Sequence, residues 1–106
     1  MRTLEFDVKK QRITKKRTCD FNGLVAGSVG YLKAKFHFSK EWRQCIAKFA
    51  SFWVDEQEYA VKLDKENCCE IPAEALVKDK FKVSVVGVNP PFQIGTNKST
   101  VKQEVT

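Results

Sequence analysis

Tyr31–Phe38 reads YLKAKFHF, and its pattern decides the fold. Leu32, Ala34, Phe36 and Phe38 fall on one face of an extended chain; Tyr31, Lys33, Lys35 and His37 fall on the other. Side chains on a strand alternate with period two, so this stretch has one buried face and one wet face. The same alternation marks Leu4, Phe6 and Val8, the segment Glu58–Leu63 (EYAVKL), and Lys80–Val86 (KFKVSVV), where Phe81, Val83 and Val85 form the inward set. Turn residues divide these segments: three glycines and Asn22 in Cys19–Gly30, the polar Asp64–Asn67, and the two prolines of Gly87–Phe92.

Weaker signals fill the gaps. Gln11–Lys15 and Leu24–Ala26 are predicted as short strands. Ser39–Trp42 (SKEW) is a tight turn or one helical turn, with Ser39 as its cap and Trp42 folding back on the core. Cys45–Val54 is a strand rich in aromatics, but Phe49, Phe52 and Trp53 do not share one face, which predicts a bulge or burial on both sides. Cys68–Ile71 is a short strand. Pro72–Val77 (PAEALV) is the best helix candidate, with proline at its first position, and Ala75 and Leu76 plug one end of the core. Ile94–Val105 closes the chain as one polar edge strand. The expected fold is all-β: a small antiparallel β-sandwich, Ig-like or jelly-roll-like, of about seven to nine strands with one short helix. A closed barrel is the alternative. Residues 1–106 form a single domain, the size at which one core suffices.

Composition narrows the functional classes. The chain carries 42% hydrophobic residues and a net charge of +6. No apolar run approaches the ~20 residues that span a bilayer, so no membrane partner is expected. The N-terminal MRTLEFDVKK lacks the apolar core of a secretory signal, so synthesis in the cytoplasm is expected. Much of the charge excess is local: Lys9, Lys10, Arg12, Lys15, Lys16 and Arg17 lie within one hairpin. Such a run is either a solvated surface or a patch for an acidic partner. Ile13 is its only apolar residue, with no aromatic to stack on bases, so an acidic protein surface is the expected partner rather than nucleic acid.

Nothing in the sequence spells out a reaction. Cys19, Cys45, Cys68 and Cys69 contain no C-x-x-C pair, and adjacent strand residues point to opposite faces. With His37 as the single histidine, no metal site is predicted, and the cysteines read as small apolar residues with free thiols. Asp55, Glu56 and Glu58 match no ordered cation loop. No catalytic residues and no cofactor are expected. Trp42, Trp53, Phe21 and Phe92 read first as core or end plugs; where exposed at loops they are contact anchors, Phe92 and Trp42 foremost.

The order of motifs resembles a known module. LEFDVKKQRIT, YLKAKFHFSKEW, EYAVKLDKENCCEIPAEAL, FKVSVVGV and TNKSTVKQEV, with their FS-x-x-W turn and IP-x-E-x-L plug, are similar to the N-terminal β-sandwich of tail, baseplate and head-fibre proteins of bacteriophages and prophages of Gram-positive bacteria. The resemblance covers almost the whole chain and implies attachment of a fibre or appendage to the virion. Members of that family continue into a linker and fibre, whereas this sequence ends at Thr106. The expectation is a non-enzymatic virion structural protein, foremost a capsid decoration protein on the major capsid protein, with self-association left open. A baseplate or tail-fibre adaptor and a small phage-encoded inhibitor of a host protein are the alternatives.

Overall fold

The computed structural model describes all residues, Met1–Thr106. Nine strands build it: β1 Arg2–Lys9, β2 Arg12–Lys15, β3 Leu32–Phe38, β4 Ala47–Val54, β5 Gln57–Lys62, β6 Cys68–Glu70, β7 Lys80–Asn89, β8 Phe92–Gly95 and β9 Ser99–Lys102. They form two sheets. The first has the order β2-β1-β3-β6. In the second, β5, β4 and β7 lie side by side, and the free edge of the long β7 is shared by β8 on its later half and β9 on its earlier half. The fold is all-β, as the alternation predicts.

The inward residues are those the period-two pattern selects. Leu4, Phe6, Val8, Leu32, Ala34 and Phe36 face Ala50, Phe52, Phe81, Val83 and Val85 across the core, each at most 1% exposed. Phe6 stacks on Phe36 at 5.4 Å between ring centroids, an offset contact that adds to the burial itself. Two plugs close the sandwich. Trp42, on the single 3-10 turn Lys40–Trp42, fills the end near the β1–β2 turn; Ala75 and Leu76, on the 3-10 turn Ala73–Leu76, fill the opposite end.

Several expectations need correction. The short helix expected at Pro72–Val77 is narrower, the 3-10 turn Ala73–Leu76 with Pro72 and Val77 as its caps, because so short a segment cannot sustain an α-helical ladder. Leu24–Ala26 is no strand; only Val25 bridges to Glu104. Gly87–Phe92 is not all turn: β7 runs through Asn89, and only Pro90–Pro91 separates it from β8. Ile94–Val105 is not one strand: it holds the end of β8 and all of β9, because Thr96–Lys98 steps from one half of the β7 edge to the other. The first sheet is not wholly antiparallel. After β2 the chain returns through residues 16–31 to the end where it began, so β3 runs parallel to β1, Arg2 opposite Leu32 and Val8 opposite Phe38. β4 keeps an unbroken register with both neighbours, so it has no bulge; its aromatics simply occupy both faces.

Candidate functional site

The basic run builds one edge of the sandwich. β2 is the outer strand of the first sheet, and the Lys10–Gln11 turn joins it to β1. Ile13 is the strand's inward residue, 1% exposed, opposite Val8. Lys9, Lys10, Arg12, Lys15 and Arg17 are exposed. Lys9, Lys10 and Arg12 gather at the hairpin tip. Lys15, Lys16 and Arg17 lead away from the tip; Lys16 approaches Asp7 at 3.8 Å and Lys15 lies 5.5 Å from the Phe21 ring centroid.

The tip is held from beneath. Lys10 has a left-handed backbone (φ 54°), a conformation that costs a residue with a Cβ roughly 1–2 kcal/mol. Both of its main-chain groups are captured. Its N–H donates to Ser39 Oγ at 2.9 Å, and its carbonyl accepts from Trp42 Nε1 at 2.8 Å. Phe38–Trp42, the FS-x-x-W turn, is therefore a clamp on the basic hairpin. Ser39 does not cap the 3-10 turn with its side chain, because its hydroxyl serves Lys10.

Trp42 is corrected as a surface anchor: it is fully buried, packed 4.9 Å from Phe38 by ring centroid, and its indole N–H is already used. Phe92 is the first residue of β8 rather than a loop tip, and it is half-buried at the same end as Lys9, Lys10 and Arg12. The end thus brings together three cations over an apolar plug, with one partly exposed ring.

The remaining candidates are engaged elsewhere. His37 lies on the outer face of the first sheet, its Nε2 2.7 Å from a Glu5 carboxylate oxygen. Glu58 accepts a hydrogen bond from Ser51, and Asp55 pairs with Lys78, which holds its carboxyl below the usual range. Cys68 and Cys69 fall on opposite faces of β6, opposite Lys35 and Ala34 respectively. Burial pushes the Cys45, Cys68 and Cys69 thiols up, Cys69 to about 12, away from the thiolate form that nucleophiles and metal ligands need. No helix is long and apolar enough to cross a membrane.

One surface escapes a reading of local sequence. On the outer face of the second sheet, Phe49 and Trp53 of β4 stand half-buried among Lys62, Lys80, Lys82 and Lys102, and the Lys98 ammonium sits 3.8 Å above the Trp53 ring centroid. These residues come from four separate segments, so only the strand register reveals them. The signal that pointed to them was the failure of Phe49, Phe52 and Trp53 to keep to one face. No protein-family model and no curated protein matches the chain.

Proposed function

We propose that the domain is a non-enzymatic binding module that docks on an acidic protein surface through the tip of the β1–β2 hairpin. Its most concrete form is a decoration protein on the capsid of a bacteriophage. The observation that carries this reading is the clamped tip: Lys9, Lys10 and Arg12 project from a turn whose central residue is fixed at both main-chain groups. A fixed tip loses little conformational entropy on docking, and three clustered cations steer it toward negative potential. Partly exposed Phe92 at the same end supplies apolar contact, in the pattern of a charged rim beside a ring. The module resemblance supports the virion as the setting.

Binding across subunit boundaries stabilises a shell, since opening it must also break those contacts. Mass spectrometry of purified particles from a producing strain tests the reading. A copy number comparable to that of the major capsid protein is expected, together with loss of the protein from particles in a Lys9→Glu/Lys10→Glu/Arg12→Glu variant. A few copies per particle would move the module to the baseplate or tail. Absence from particles would overturn the virion setting and favour an inhibitor of a host protein.

A further inference from the structure

We propose that the outer face of the five-stranded sheet binds single-stranded nucleic acid, by stacking bases on Trp53 and Phe49 while lysines hold the phosphates. This site lies on the sheet opposite the hairpin's own and does not depend on the docking reading.

Phe49 and Trp53 point outward from β4 four residues apart, about 13 Å along the strand. That span leaves room for unstacked bases between the two rings. Lys62 lies opposite Phe49 on β5, and Lys82 lies opposite Trp53 on β7. Lys80 and Lys102 extend the row, paired with each other across β7 and β9. Lys98 covers the Trp53 ring. The acid on this face is Glu58, opposite Trp53, and its carboxylate is occupied by the Ser51 hydroxyl. Asp55 and Asp79 lie at the margin, beside a cavity of about 220 Å³ that adjoins Trp53, and Asp55 is already paired with Lys78.

The charge pattern selects the occupant. Five lysines against one engaged carboxylate attract a polyanion and repel a second copy of the same face. The rings then separate nucleic acid from other polyanions. The indole N–H donates to Ser84 Oγ, on the same face of neighbouring β7, at 3.0 Å, which fixes the ring and uses its donor within the face. What Trp53 offers is a π-surface, now covered by a cation, and every base has a matching π-face. A base that moves onto the indole displaces the Lys98 ammonium toward the phosphates, where it remains useful. A duplex hides its base faces and cannot use the rings in this way, so the partner is single-stranded.

Fluorescence anisotropy with a labelled oligothymidylate of about 12 nucleotides tests the proposal. Binding is expected, with affinity falling as salt rises. Lys82→Glu/Lys98→Glu is expected to weaken it about tenfold or more, and an abasic strand of equal length is expected to bind about tenfold less tightly. Trp53→Leu, with folding checked by circular dichroism, is expected to abolish the quenching of tryptophan emission, since buried Trp42 cannot be stacked upon. Three results would each overturn the proposal: no binding by the wild-type domain; equal affinity for the abasic strand or for heparin; or binding lost on reversing Lys9 and Arg12 but kept on reversing Lys82 and Lys98.

Discussion

Lys10 is where stability and recognition part company. Its left-handed backbone favours glycine, while its ammonium belongs to the hairpin tip. Lys10→Gly should leave stability unchanged or raise it by up to about 1 kcal/mol, because relieved strain is offset by glycine's freedom when unfolded. The same change should weaken association with the acidic partner; urea unfolding and a binding isotherm on one sample separate the two effects. Gly87 gives the opposite lesson. A Cβ there would lie 2.5 Å from Cys45 Sγ and 2.9 Å from Trp42 Cε3. The thiol can turn away, but the indole is tied to the Lys10 carbonyl. Gly87→Ala should therefore cost about 1–3 kcal/mol, seen as a lower urea midpoint with an unchanged slope. Cys69 makes a chemical prediction. With its thiol pushed up to about 12 by burial, it should resist iodoacetamide at mildly alkaline pH in the folded domain and react once urea unfolds it. Prompt labelling in the folded state would mean that β6 opens readily from β3.

At the scale of elements, the two sheets meet along a seam beside β2. Asn97 Oδ1 accepts from the Ile13 N–H at 2.8 Å, and the Asn97 N–H donates to the Gln11 carbonyl at 3.3 Å. A loop of the second sheet thereby covers the exposed edge of the first, the part of a sheet most open to unwanted pairing. Asn97→Ala should cost about 1–2 kcal/mol and should speed hydrogen exchange at the Ile13 amide before other core amides. Strands with one dry face were legible in the sequence because burial writes a period of two into them; β1, β3, β5 and β7 are the cases. Which strand lies beside which was not legible. The parallel β1–β3 pair follows from the path of residues 16–31, and no residue in either strand encodes it. The same gap hid the lysine and aromatic face. Phe49 meets Lys62, and Trp53 meets Lys82 and Lys98, only through register and the path of the loop before β9. Trp42 had two readings, plug and anchor, and what separates them is the Lys10 carbonyl, a partner 32 residues away in the chain.

For the whole molecule, direction along the sandwich organises everything. β1 and β3 start at one end, β7 starts there too, and β9 finishes there. Arg2 donates through its N–H to the Tyr31 carbonyl and through its guanidinium to the carbonyls of Asp20 and Asn22. Glu104 exchanges main-chain hydrogen bonds with Leu24 and Ala26 in the same loop. The first and last residues thus emerge beside the same 20–31 loop, at the end opposite the hairpin tip. Such a layout can be rewired. A chain with its old ends joined by a short flexible linker and new ends opened at the exposed Pro90–Pro91 should fold to the same far-ultraviolet spectrum with a similar melting temperature. It also makes the domain a ready-made handle: a cargo fused at either terminus hangs from the same pole, so one molecule can carry two passengers and still present Lys9, Lys10 and Arg12 unobstructed from the other.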